Sequence, residues 1–490
     1  TTVPRTQYIL SELQEDGVPE VATWHAVRHL PSREELKYID FPVDLPLIEP
    51  FVFNSCPKLE WINYPDNLEK IGEYAFFDSL NIRGNTCPCS GSSNFSVLDF
   101  KNKTALNSIG DKAFANNNSG YGSTRFRSLL LGDDLVTIGD SAFLWNAIGT
   151  LSIPKNVRII GSHAFYKCRL LTTVELEDRT LEDLTIGAYC FSSEFTRVQD
   201  KDIYDIRLTN VCEFPSYVVI REACFSSATF LQNYTFAQDT TYIPEGTFRY
   251  CKSLQNVFLG TYRLSTGVSR SVQQIEDMGN ANAGTPALKE IADQAFANCY
   301  SLKQVSLPNS LEKLGSGSFR NCRELEFVRL PDHGSKLTEI PSYAFYSSGL
   351  KTIHFPTVGE GDNATSTIRT IGAYAFAEDN NLTHINEESI LVDNPDDPNG
   401  AKIEVSGLII PNGIEEIGQY AFMRCTSVQT AAIPRSVKKM GIGVFLGCSS
   451  LERIYVGYTE QEVQQLIADG DWDYAWNAGD VKVQYKKEGE

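Results

Sequence analysis

Leu302-Lys-Gln-Val305-Ser-Leu307-Pro308-Asn-Ser-Leu311-Glu-Lys-Leu314-Gly315-Ser-Gly-Ser-Phe319-Arg-Asn-Cys322 decides the fold, because it is one complete unit of a pattern that runs through most of the chain. Val305 and Leu307 alternate with polar neighbours, which is the two-residue period of a strand with one buried face. Pro308 ends that strand, since it has no N–H to give to a ladder. Leu311 and Leu314 form a second short segment that points inward. The glycine after it suits a tight turn at positive φ. Phe319 then enters the core from the opposite side of the coil.

Working outward, the strand phrase returns as Leu59-Glu-Trp-Ile62-Asn-Tyr64-Pro, Leu325-Glu-Phe-Val328-Arg-Leu330-Pro and Leu350-Lys-Thr-Ile353-His-Phe355-Pro. The turn phrase, Ile-Gly-x-x-Ala-Phe-x-x-Cys in its fullest form, returns at 71–76, 109–114, 138–143, 160–165, 371–376 and 417–422, with Ile291-Ala-Asp-Gln-Ala-Phe296 close to it. Looser copies end at Phe53, Phe191, Phe225, Phe248, Phe319, Phe345 and Phe445, which makes fourteen. Four intervals between these phenylalanines are 23 residues and the others run from 22 to 48, so most carry insertions into one unit. A single coil cannot bury its own apolar residues, whereas stacked coils cover one another. The expectation is an α/β repeat solenoid with one long parallel sheet of about fifteen strands spaced ~4.8 Å apart. Short strands, turns or helical segments lie on the opposite side. The first strand is expected within 36–41.

Seven of the twelve cysteines sit three residues after a repeat phenylalanine: Cys56, Cys168, Cys251, Cys299, Cys322, Cys425 and Cys448. Asn117 and Asn146 occupy the same slot, and Cys190 and Cys224 replace the alanine before phenylalanine. This reads as a column of buried thiols acting as small hydrophobes. Metal binding along it would need converging ligands that the spacing does not supply.

The combined phrase Leu-x-x-Val-x-Leu-Pro-x-x-Leu-x-x-Ile-Gly-x-x-Ala-Phe-x-x-Cys resembles the BspA-like leucine-rich repeats, also called the Treponema pallidum type, across residues 36–457. The resemblance implies a curved, right-handed superhelix. It also implies a surface or secreted protein of a host-associated bacterium, a class with several members linked to adhesion. One fold serves many functions, so this implication is weaker than the one about architecture.

The ends depart from the pattern, as caps of a solenoid do. An N-terminal cap is expected over 1–35, with helices near 8–15 and 21–30, and a C-terminal cap over 458–490. Thr459 with Glu462 reads as a capping box opening a short helix. Trp472, Tyr474 and Trp476 are expected to seal the last coil ahead of a final strand at 481–485, with carbohydrate stacking as the sharper alternative. Insertions fall at 80–94, 260–287, 357–367 and 386–404. Cys87 and Cys89 leave three readings open: a disulfide, a metal pair or inert thiols. The acidic stretch 393–400 offers oxygens for Ca²⁺ but lacks the EF-hand spacing.

With 62 acidic against 43 basic residues, the net charge of −19 disfavours nucleic acid and anionic membranes. No apolar run approaches the ~18 residues of a spanning helix, and the first residues do not read as a signal peptide. The histidines His25 and His29 stand four apart, yet no His-Glu-x-x-His motif occurs. Neither a P-loop nor a Gly-x-Ser-x-Gly elbow is present. No catalytic, metal or cofactor site is therefore expected. Asn-x-Ser/Thr sites at Asn94, Asn102, Asn117, Asn233, Asn363 and Asn381 matter only in a eukaryotic secretory pathway.

Strand register places outward side chains on either side of the central apolar residue. Trp61, Phe258, Phe327 and Tyr455 stand out among mostly small polar residues, because exposed aromatics of this kind anchor interfaces. Phe327, Arg329, Thr352, His354, His384 and Asn386 are expected to form one patch on three neighbouring strands. The function expected is a non-enzymatic binding protein of the bacterial surface or secreted space. Its partners would be host extracellular or cell-surface proteins, engaged along an extended face. The alternative is glycan binding through Trp61, Phe258 or the Trp472/Trp476 region. Two unlike ends argue against end-to-end stacking, so a monomer is expected.

Overall fold

The structure, a computed structural model, describes residues 36–79, 97–116, 127–178, 183–193, 196–198, 201–203, 206–259, 286–331, 335–358, 365–386, 389–392, 402–477 and 481–487, with 34 and 82 added and 42 and 216 excepted. The two N-terminal helices, His25, His29, Cys87, Cys89, Asn94, Asn117, Asn363, the stretch 393–400 and nearly all of 80–94 and 260–287 lie outside these residues.

The chain divides into two compact units, Thr1–Leu231 and Gln232–Glu490. Each is a stack of the coils that the repeat prescribes, and strands pair with their equivalents one coil away. In the second unit the Leu-x-x-Val-x-Leu strands form a ten-stranded parallel sheet running from Asn233–Phe236 to Lys482–Tyr485. In the first unit the same row is divided: Tyr38–Asp40 pairs with Trp61–Asn63, and Val97–Asp99 with Ser128–Leu130. Thr150–Ile153, Thr173–Leu176 and Asn210–Val211 form a third piece. Connector length alone does not set the breaks: the row parts where 21 residues separate Phe76 from Val97, yet Asn210, 19 residues after Phe191, still pairs with Thr173, and Thr150, seven residues after Phe143, does not pair with Ser128–Leu130.

The second inward segment builds its own ladder. Seven two- or three-residue strands, from Leu47–Ile48 to Val218–Ile220, make one parallel sheet in the first unit. The second unit has ladders of three and four such strands. The strand of the coil after Phe191 is Asn210–Val211, in register with Thr173 and Val174. Leu408–Ile409 joins the ten-stranded sheet as a strand beyond those the repeat predicts, between His384–Ile385 and Thr430–Ile433. Three insertions fold as antiparallel hairpins, Thr196–Val198 with Lys201–Ile203, Thr357–Val358 with Thr365–Ser366, and Ile390–Val392 with Ile403–Val405.

Between the sheets and the turns runs a spine of phenylalanines. In the first unit Phe53, Phe76, Phe114, Phe143, Phe165, Phe191 and Phe225 stack ring on ring at 5.2–5.8 Å. In the second, Phe248, Phe296, Phe319, Phe345, Phe376, Phe422 and Phe445 do so at 5.3–5.8 Å. These spacings exceed the ~4.8 Å between paired strands, so the rings are slipped, as aromatic quadrupoles prefer.

The expected role of the glycine after isoleucine is corrected. These glycines are not the left-handed residues. Positive φ falls two residues before each repeat phenylalanine, as at Tyr74, Lys112, Ser141, His163, Gln294 and Tyr374, and two residues after most of them, as at Asp78, Trp145, Lys167, Asn298 and Arg424. The N–H groups of Tyr74, Phe76 and Asp78 donate to Asp111, Ala113 and Ala115 of the next coil, each at 2.8 Å. The left-handed turns thus aim alternate N–H groups along the stack. Glycine serves close approach instead. A Cβ on Gly161 would lie 2.5 Å from Asp140 N, and one on Gly315 would lie 2.3 Å from the Ala292 carbonyl carbon.

At the C-terminal end Thr459 caps the helix Glu460–Ala468, with Thr459 Oγ1 and Glu462 satisfying each other's backbone N–H. Trp472 and Trp476 are buried and edge-on at 5.3 Å, while Tyr474 is 81% exposed.

Candidate binding face

The outward side chains of the ten-stranded sheet stand in two rows. Parallel pairing puts Gln304, Phe327, Thr352 and His384 in one row, and Ser306, Arg329 and His354 in the other. Five predicted patch residues, Phe327, Arg329, Thr352, His354 and His384, therefore sit side by side on three paired strands, all half-buried. The Phe327 and His354 rings lie 6.2 Å apart. His384 Nδ1 is 2.8 Å from Thr383 Oγ1. The ion pair Lys351–Glu326, at 3.0 Å, occupies the positions just before Thr352 and Phe327. Together these residues offer a ring face, a guanidinium and two imidazoles, a set suited to polar macromolecular surfaces.

Asn386, the sixth predicted residue, does not belong to this face. It is buried at φ 52°, and its Oδ1 accepts the Phe355 N–H at 2.8 Å. The chain leaves the strand there toward the hairpin, and the amide closes the bond that the strand gives up. Tyr455 is also corrected: it is 8% exposed, paired between Ala432, itself buried, and Gln484. Trp61 is half-buried, with its indole nitrogen enclosed. Phe258 is open at 36% exposure beside Thr235. Trp472 and Trp476 are packed inside and unavailable as sugar platforms. Asn233 is exposed on the sheet and accepts from Asn256 Nδ2 at 2.7 Å.

Sequence reasoning missed a second aromatic feature. Tyr343, Tyr374 and Tyr420, each two residues before a repeat phenylalanine, lie in a row, the first two rings stacked at 4.8 Å and the last two tilted at 5.0 Å, with the Arg320 guanidinium 5.3 Å from the Tyr343 ring centroid. The signal was available as tyrosine recurring at one position of the phrase. The thiol column behaves as expected. Cys168 is pushed up to about 12 by burial, and Cys190 and Cys299 also rise, by burial first and neighbouring thiols second. Among the described residues no three His, Cys, Asp or Glu side chains are grouped so as to hold a metal ion. None of their helices is long and apolar enough to cross a membrane.

The profile of the BspA type leucine-rich repeat region matches residues 32–120, 90–203, 136–263, 289–394 and 360–467. The chain belongs to the BspA-type leucine-rich repeat family. Among solved structures it is similar to a leucine-rich repeat protein from Bacteroides ovatus, 19% identical, covering 99% of this chain and 100% of that one at a TM-score of 0.55. A leucine-rich cell surface protein from Faecalibacterium prausnitzii is 18% identical over 95% of this chain and 97% of its own, at a TM-score of 0.39. The pneumococcal vaccine antigen PcpA is 14% identical over 94% and 91%, at a TM-score of 0.42. These likenesses concern the fold. No curated protein matches significantly.

Proposed function

We propose that this chain is a non-enzymatic binding protein of the bacterial surface or secreted space, and that it presents the outward rows of its ten-stranded sheet to a host or cell-surface protein. The observation that carries this reading is the adjacency of Phe327, Arg329, Thr352, His354 and His384 on three strands in register. An aromatic ring beside an arginine is the usual chemistry of an interface anchor. Family membership supports a scaffold for protein interaction, and the net charge of −19 favours partners with basic surfaces.

Immobilised full-length chain is screened against purified host matrix proteins and intact cells, in parallel with a glycan array. Substituting Phe327→Ala together with Arg329→Ala is expected to weaken the detected protein partner at least about tenfold, with the thermal transition unchanged. Unaltered affinity for every partner would remove this face from the reading. Binding confined to the glycan array would replace the protein partner with a sugar.

A further inference from the structure

The residue three positions after each repeat phenylalanine belongs to a column, one side chain per coil, and seven of its members make the same bond. Each donates to the carbonyl oxygen of the phenylalanine one coil back. Ser79 Oγ reaches Phe53 O at 2.8 Å and Asn146 Nδ2 reaches Phe114 O at 2.9 Å. The thiols of Cys168, Cys299, Cys322, Cys425 and Cys448 reach the carbonyls of Phe143, Phe248, Phe296, Phe376 and Phe422 at 3.1–3.3 Å. Hydroxyl, amide and thiol are interchangeable in these seven coils because each can donate; Ala228 holds the same position in another coil with no donor.

Asp379 holds this position in the coil after Phe345. Its side chain is fully buried; Oδ1 accepts from Ser348 Oγ at 2.7 Å, and Oδ2 is enclosed without a partner. The titratable groups that face it are the thiols of Cys322 and Cys425. Among the described residues no cation stands against it. An ionised carboxylate can only accept, so it could not make the bond that seven other members of the column make to the phenylalanine carbonyl one coil back, and its buried Oδ2 would carry charge with no partner.

We propose that Asp379 is a neutral carboxylic acid in the folded chain, with its proton on Oδ2 donated to the Phe345 carbonyl, and that this coil is a latch which weakens when the proton leaves. Burial holds the carboxyl well above the usual carboxylate range. In the unfolded chain an aspartate ionises near ~3.9. The folded form therefore keeps a proton that the unfolded form has lost. The contribution is complete below the unfolded value and declines as pH rises toward the folded one. The affected coil is the one that leads into His384–Ile385, yet the inference does not depend on what that face binds.

Asp379→Asn keeps the shape and the donor and removes the titration; the column already accepts asparagine at Asn146. Urea unfolding of the full chain, wild type and Asp379→Asn, is followed across a pH series. The two are expected to agree near the acid end. Above it, the unfolding equilibrium constant of wild type should rise relative to the variant by about tenfold per pH unit. A constant difference between the two across the series would overturn the proposal. Infrared spectroscopy of the wild type decides the matter even if the variant fails to fold. A protonated-carboxyl C=O band that persists at neutral pH and is lost on unfolding is expected, and its absence from the folded protein would overturn the proposal.

Discussion

Gly315 and Gly317 show how one residue type answers two demands. At Gly315 a Cβ would meet the Ala292 and Asp293 backbone at 2.3–2.4 Å, and backbone cannot rotate aside. Gly315→Ala should cost about 3 kcal/mol or more, read as a fall in the urea midpoint. Gly317 has φ of 60° but nothing nearer than 3.7 Å to a Cβ, and the equivalent positions carry Gln294 and Tyr343. Gly317→Ala should cost only about 1 kcal/mol, the penalty of a left-handed alanine. Phe319, fully buried and stacked on Phe296 at 5.3 Å and Phe345 at 5.7 Å, has no room for its neighbours to collapse into a gap. Phe319→Ala should lose about 3–5 kcal/mol.

At the scale of the element, the coil is stabilised by what lies above and below it more than by its own propensities, since its strands are two to four residues long. This places the cysteines out of reach. Nine described thiols are buried, and a thiol shielded by stacked coils reacts only when the coils part. A maleimide titration of the native chain should leave Cys168, Cys190, Cys299, Cys322 and Cys425 unmodified, with labelling by peptide mass appearing in step with urea unfolding. The one described helix is a different kind of element, because its first turn depends on a local cap. Thr459→Ala removes the oxygen that accepts the Glu462 N–H and should cost about 1 kcal/mol. Helical signal at the far-ultraviolet minimum should fall before the sheet signal does. The parting of the first unit's long strands into three pieces, against the unbroken ten in the second, was not legible. Connector length can be counted in the sequence, but whether an extra loop displaces a strand depends on how the loop packs.

Across the whole molecule, acidic residues outnumber basic ones by 62 to 43, and the ion pairs are mostly open to water, such as Lys155–Asp133 and Lys313–Glu290, both at 2.6 Å. Exposed pairs contribute little, while surplus like charge opposes compaction. Raising the salt concentration should therefore leave the urea midpoint level or move it upward, and a clear downward shift would mean that ion pairs hold the stack. The repeat, the two inward strands of each coil, the phenylalanine spine, the thiol column and the family were all determined by sequence alone. A pattern repeated fourteen times averages out the ambiguity of any one short strand. Only tertiary structure decided that Asn386 turns inward, that Tyr455 is covered, that the glycine after isoleucine is required for contact and not for φ, and that Asp379 is buried in a column where seven other members donate. Those outcomes depend on atoms one coil away, such as Phe355 for Asn386, Ala432 for Tyr455, Ala292 for Gly315 and Ser348 for Asp379, and the local pattern holds no record of them.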